Sequence, residues 1–154
     1  MATTLATIGY QGATPEGFRR ALESARIELL ADIRAVASSR RPGFSKSKLS
    51  AGVAEAGIDY LHLRALGTPA DGRAAARAGR YAEMRKIFLA HVKLPEPQAA
   101  LQDLAGIVRS GTRVCLLCFE ADPLQCHRNI VAALLAELLP LEITHLKPDA
   151  DPLY

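Results

Sequence analysis

Five short apolar runs, each separated from the next by a stretch with helical spacing, constrain this chain more than any other feature. LATIGY, IELLADIRAV, IDYLHL, RVCLLCF and LEITHL have the length and the branched and aromatic content of strands. Strands that alternate with helices imply a parallel sheet, because each parallel connection must cross over a face of the sheet and cover it. The expected fold is therefore α/β: a three-layer α/β/α arrangement with a mostly parallel five-stranded sheet and helices on both faces. Right-handed crossovers leave few topologies, and the favoured strand order is 3-2-1-4-5, with the first strand beside the fourth.

The helix signals are local. Thr14 before Pro15 is an N-cap and first-turn pair that starts a helix over about 15–26. Ser45 caps a second helix over 46–56, and Gly57 stops it in the left-handed conformation glycine tolerates. Residues 64–78, rich in Ala, Gly and Arg, are expected to be the longest irregular stretch. Helices follow over 79–91 and 97–109, separated by LPEP and closed by Gly111. RVCLLCF is the most apolar run and reads as a central strand buried on both faces. Asp122 as N-cap, Pro123 as first residue and Gln125 in capping-box position then open a helix to about residue 138.

A chain of 154 residues is the size of one domain, here 1–154, and buries about 70% of its unfolded surface without staples. No apolar run approaches the roughly 18 residues of a membrane span, and MATTLATIGY lacks the pattern of a signal peptide, so no membrane association and a cytoplasmic location are expected. Three cysteines, Cys115, Cys118 and Cys126, are an odd number in a chain that needs no disulfide framework, and are expected as reduced thiols. The net charge of +3 hides an asymmetry. Between Arg34 and Lys93 twelve Lys or Arg face four acids, giving +8, while the remainder, seven against twelve, carries −5. Such a basic segment suits an anionic partner, a phosphate-bearing small molecule or nucleic acid, or simply a solvated face.

In an open parallel sheet, ligands bind outside the carboxyl ends of the strands. That edge receives Tyr10, Gln11 and Gly12 after the first strand, Arg34 after the second, His62 and Arg64 after the third, Cys118 and Glu120 after the fourth, and His145 and Lys147 after the fifth. The richest turn is LLCFEADPLQCHR. Cys115 and Cys118 lie three apart on a strand and face opposite sides, so Cys115 reads as core. Cys126 and His127 as consecutive helical residues diverge by about 100°, which leaves no clear four-ligand set and no metal is expected. A thiol in the first turn of a helix, here Cys126, is activated by unpaired N–H groups, and Cys118 sits at a strand end before a tight turn, where several α/β enzymes hold a nucleophile, so Cys118 or Cys126 is a candidate nucleophile. The same turn offers donors to an anion, with Arg34, Arg40, Arg41, His62 and Arg128 as candidate anion-binding residues. An arginine six positions after the cysteine, as in rhodaneses and cysteine phosphatases, is missing: Leu124 and Ala132 stand there. The arm SSRRPGFSKSK combines basic residues with Phe44, which is placed to stack on a base, or forms an exposed loop without a ligand. No helix-turn-helix or zinc-finger signature is present.

TIGY, ADIRAV followed by SSRRPGFSK, GIDYLHLRALG and LLCFEADPLQCHR, in this order, resemble the bacterial and archaeal family known as domain of unknown function 488. The resemblance runs from about Thr7 to His145. It implies that Gly9, Asp32, Arg34, Ser39, Arg40, Arg41, Phe44, His62, Leu66, Gly67, Cys118, Glu120, Cys126, His127 and Arg128 are the positions to inspect, and it supplies no substrate. One departure is Tyr10, where related sequences often carry His. The expectation is a small enzyme that binds a phosphate-bearing ligand, a nucleotide or a nucleic-acid end, at the carboxyl edge of the sheet. Its catalytic candidates are Cys118, Glu120, Cys126 and His127, and it needs no cofactor. The alternatives are a non-catalytic nucleic-acid or anion-binding module and a structural partner-interaction domain. Reaction class and oligomeric state are left open.

Overall fold

The computed structural model describes residues 3–149. The first apolar run forms β1 (Thr3–Gly9), and α1 (Pro15–Ser24) follows with Pro15 at its start and the Thr14 hydroxyl accepting the Gly17 N–H at 3.0 Å. Next come β2 (Leu29–Asp32), α2 (Lys46–Ala54) and β3 (Asp59–His62). Ser45 stands at the N-cap of α2, but its hydroxyl serves Ser39 instead, accepting the Ser39 N–H at 2.9 Å and so folding the basic arm back on itself. A 3-10 turn at Arg64–Leu66 leads to α3 (Ala70–Arg77), α4 (Tyr81–His91) and α5 (Pro95–Arg109). β4 (Val114–Cys118), a 3-10 turn at Pro123–Gln125, α6 (His127–Leu138) and β5 (Leu141–Leu146) complete the described chain.

All five strands are parallel, in the order β3-β2-β4-β1-β5, with helices on both faces: the three-layer α/β/α architecture the sequence implies. The order itself corrects the expected 3-2-1-4-5. The first strand does lie beside the fourth, but β4 inserts between β1 and β2, and β5 pairs with β1. Burial explains the placement. Every residue of VCLLC is buried and suits the centre, whereas β5 exposes Glu142 and Thr144 and suits an edge.

Connections that move left along the sheet carry α1 and α2; those that move right carry α3 to α5 and α6. Right-handed crossovers send these two sets to opposite faces. Two cores result. Phe18, Leu22, Leu49 and Val53 pack with Ile8, Leu30, Cys115 and Leu117 on one face, and Phe88, Leu104, Val131 and Leu135 pack with Leu5, Ala31, Val114 and Leu116 on the other.

Two further expectations are corrected. Residues 64–78 are not irregular: the alanines of ADGRAAAR form α3, with Asp71 in the first turn and Arg77 in the last, both favourable to the helix dipole. The helix expected from Pro123 onward is broken. Asp122 caps it as anticipated, accepting the Leu124 N–H at 2.9 Å, but the cap closes only a 3-10 turn. Cys126 is then extended, at φ −137° and ψ 151°, and α6 begins at His127. No helix among the described residues is long and apolar enough to cross a membrane.

At the end of β1 the chain approaches the turn after β4 so closely that Gly9 has no room for a side chain. A Cβ there would overlap the Glu120 carbonyl and stand 3.0 Å from Arg128 Nη1. Gly9→Ala is therefore expected to cost about 1–3 kcal/mol, the range of forced overpacking. Urea unfolding measures this; an unchanged midpoint would show that the approach is not close.

Candidate functional site

Because β1 and β2 send their connections to one face and β4, lying between them, sends its connection to the other, crevices open at the carboxyl edge on either side of β4. A cleft of about 510 Å³ occupies this position. Tyr10 and Gln11 enter it from β1, Arg34 and Val36 from β2, and Cys118 and Glu120 from β4, while Thr68, Arg73, Arg77 and Tyr81 wall it from the α3 and α4 side.

On the floor, Cys118 and Cys126 are paired as a disulfide across eight positions, which corrects the expectation of three reduced thiols; Cys115 remains a free, buried thiol on the other face of the sheet. His127 completes the cluster. Its Nδ1 lies 3.6 Å from the Cys118 sulfur and 3.7 Å from that of Cys126. The expected divergence of Cys126 and His127 fails because Cys126 is an extended N-cap and not a helical residue, so both side chains turn toward the end of β4. The Cys126 sulfur also accepts the Arg128 N–H of the first turn of α6, at 3.5 Å.

The imidazole is oriented from behind. Its Nε2 is 2.7 Å from the Ile33 carbonyl, which can only accept, so Nε2 carries the proton and the Nδ1 lone pair faces the sulfurs. Burial, with Arg128 adding to it against the Ile33 hydrogen bond, lowers the His127 pKa to about 4, which keeps the ring neutral. Glu120 Oε2 stands 3.1 Å from the Cys118 sulfur. Burial pushes its carboxyl above the usual range, and the Arg128 charge pulls partly the other way.

Two arginines brace this edge from inside. Arg34 grips Asp32 with Nε at 2.9 Å and Nη2 at 2.7 Å, and directs Nη1 to the Phe44 carbonyl at 2.7 Å and the Tyr10 hydroxyl at 3.3 Å. The Tyr60 hydroxyl donates to the same Asp32 carboxylate. Arg128, fully buried, gives Nε to Thr7 Oγ1 at 3.0 Å, Nη1 to the Glu120 carbonyl and Nη2 to the Ala121 carbonyl at 3.2 Å. Thr7 Oγ1 also shares a hydrogen bond with His145 Nδ1 at 2.6 Å.

Of the residues singled out from the sequence, the structure brings Cys118, Glu120, Cys126 and His127 together at one point, with Arg34 on the cleft wall. Arg128 lies behind the turn, not in the cleft. His62 closes the β2–β3 edge by donating Nε2 to the Arg34 carbonyl at 2.7 Å. Arg41 reaches the Ala13 carbonyl, and Arg40 is exposed on the arm, so neither lines the cleft. Phe44 is core, not a stacking platform for a base: it stacks on Tyr10 with centroids 4.6 Å apart and is 1% exposed. Sequence reasoning missed Arg73, Arg77 and Tyr81. The signal was present, since Arg73 and Arg77 are four apart in an alanine-rich run and share one helix face.

The profile of the family described as domain of unknown function DUF488 matches residues 14–135. No curated protein and no solved structure matches the chain.

The Arg128 brace yields a direct expectation. Arg128→Met keeps most of the volume but strips three oxygens of their donor, and is expected to cost about 3 kcal/mol. It should also open the turn at 119–125 to limited proteolysis. Denaturant unfolding with mapping of the first cleavage sites measures both, and a variant of unchanged stability and protease resistance would remove Arg128 from this role.

Proposed function

The chain belongs to the DUF488 family, and since that family's description assigns no reaction, we propose one from the cleft: thiol-dependent reduction of an electrophilic substrate that carries an anionic group. The observation that carries this reading is the Cys118–Cys126 pair on the cleft floor, with Cys118 lining the cleft and Cys126 behind it. Cys118 is the attacking thiol and Cys126 the resolving thiol.

For a substrate disulfide, the Cys118 thiolate attacks one sulfur, the substrate S–S bond breaks, and one half departs as a thiolate. A mixed disulfide remains on Cys118. The Cys126 thiolate then attacks the Cys118 sulfur, forming the internal disulfide and expelling the second thiolate. Two electrons have passed from the pair to the substrate, and a dithiol reductant returns them. Glu120, 3.1 Å from the Cys118 sulfur, is placed to receive the thiol proton. The Arg128 N–H that caps Cys126 favours charge on that sulfur. At the wall, Arg77 and the part of the Arg73 guanidinium not given to the Thr68 carbonyl, which Nη1 meets at 2.8 Å, suit a phosphate or carboxylate on the substrate.

A purely binding module draws less support. Arg34 and Arg128 spend their guanidinium groups on internal acceptors, and Arg40 and Arg41 lie outside the cleft, so the basic edge is not continuous.

Dithiobis(nitrobenzoate), a dianionic aromatic disulfide, tests the mechanism. The reduced protein is expected to release two nitrothiobenzoates per chain and close its own disulfide, whereas Cys126→Ser releases one and keeps the other as a stable adduct on Cys118. A wild-type chain that retains the adduct would remove Cys126 as resolving thiol. Replacing both Arg73 and Arg77 by Ala should slow this reaction about tenfold at low salt, in keeping with electrostatic steering, and leave a neutral hydroxyethyl disulfide nearly unaffected. Equal slowing of both would place the arginines in folding and not in substrate attraction.

A further inference from the structure

The same cluster has a second chemistry. We propose that, when reduced, Cys118 Sγ, Cys126 Sγ and His127 Nδ1 bind one thiophilic divalent cation of the zinc type, with the fourth coordination position open to the cleft beside Glu120. The three donor atoms lie within 4.8 Å of one another, and all three residues are buried. The inference rests on the proposed thiol chemistry only in requiring that the pair be reducible.

Distances favour this set. In a tetrahedral site with metal–sulfur and metal–nitrogen bonds of about 2.3 and 2.0 Å, sulfur and nitrogen ligands stand about 3.5–3.6 Å apart. The observed separations of 3.6 and 3.7 Å need almost no adjustment. Only the edge between the sulfurs must open, to about 3.8 Å. The Cα atoms, 7.2 Å apart, already stand beyond the roughly 4.4–6.8 Å that a disulfide usually spans, so the opening asks for side-chain rotation more than backbone movement.

The surroundings match what a ligating histidine requires. A metal-bound imidazole almost always donates its other N–H to a carbonyl or carboxylate, which fixes ring and tautomer. His127 does so through Nε2 to the Ile33 carbonyl, leaving the Nδ1 lone pair toward the sulfurs. Two thiolates and a neutral imidazole place the donor set on the soft side, suited to zinc and unsuited to magnesium or calcium. Three protein ligands with a cleft-facing fourth position also follow the pattern of open, reactive zinc sites and not of closed structural ones. Glu120 stands beside that position through its contact with Cys118. Binding exchanges the thiol protons for the ion, and oxidation of the pair to the disulfide, its two electrons passing to the substrate disulfide, must release the ion because the thiolate charges are gone. Ion and disulfide are thus exclusive occupants of the site.

Cobalt(II) titration of the full-length protein, reduced and handled without oxygen, tests this. The reduced chain is expected to take up one cobalt, with the intense visible d–d bands of a tetrahedral site and thiolate-to-cobalt charge-transfer absorption, and zinc should displace it. The disulfide form should show neither band, Cys115→Ala should bind as the wild type does, and His127→Ala should lose the tetrahedral spectrum. A reduced chain with the Cys118 and Cys126 thiols titratable, yet no such bands at cobalt concentrations well above the protein's, overturns the ion site. That result leaves the disulfide chemistry intact, whereas cobalt binding by a protein that forms a stable adduct with the aromatic disulfide would overturn the resolving role and keep the ion.

Discussion

The carboxyl edge of this sheet is organised around a buried positive charge. Arg128 sits at the start of α6 with no exposed surface, and its guanidinium is met by the Thr7 hydroxyl from β1 and by two carbonyls from the turn after β4. One side chain thereby ties a strand, a turn and a helix. Leaving a charge in that position without acceptors is costly, so the turn is held in the one conformation that supplies them. Gly9 is the counterpart on β1: the strand comes close enough for this tie only because no Cβ intervenes. The Gln11 N–H to the Phe119 carbonyl and the Ala121 N–H to the Gln11 side chain add two more stitches across the same gap.

The architecture was readable from the chain because hydrophobic periodicity carries the element types and chirality carries the crossovers. The order of the two central strands was not. Both LATIGY and RVCLLCF are apolar enough for the interior, and nothing local says which one pairs with β2. That choice is made by the completed sheet, where the fully buried β4 takes two strand partners in the middle and β1 is left to receive β5. The helix over Ala70–Arg77 was lost for a different reason. The Ala-, Gly- and Arg-rich composition of 64–78 reads as irregular, and the helix propensity of its alanines outweighs that impression.

The candidate site residues were legible as a group, and what each side chain contacts was not. Strand ends and the basic, cysteine-bearing turn pointed to the carboxyl edge, and Cys118, Glu120, Cys126 and His127 do meet there. Arginine, however, reads the same in a sequence whether it faces a ligand or a carbonyl. Arg34 and Arg128 turn inward, Arg34 because Asp32 is two residues away with Tyr60 completing the carboxylate's partners, and the cleft draws Arg73 and Arg77 from a helix the sequence had not revealed. The cysteine pairing was hidden by a conformational detail: one extended residue, Cys126, between a 3-10 turn and a helix.

That detail has a chemical consequence. A turn that depended on its disulfide for shape would collapse on reduction, and no thiol pair could cycle there. This turn takes its shape from other bonds: Arg128 to two carbonyls, Gln11 across the gap to Phe119 and Ala121, and Asp122 to the Leu124 N–H. His127 is likewise anchored through Nε2 to the β2 end and not through the sulfurs. The two sulfurs therefore sit in a frame that their own bond does not build, so the pair can open, with the imidazole lone pair still aimed between them, without unmaking the edge of the sheet. A preformed frame of this kind is what both thiol exchange and ion capture require, because each needs the donors held in place before the partner arrives.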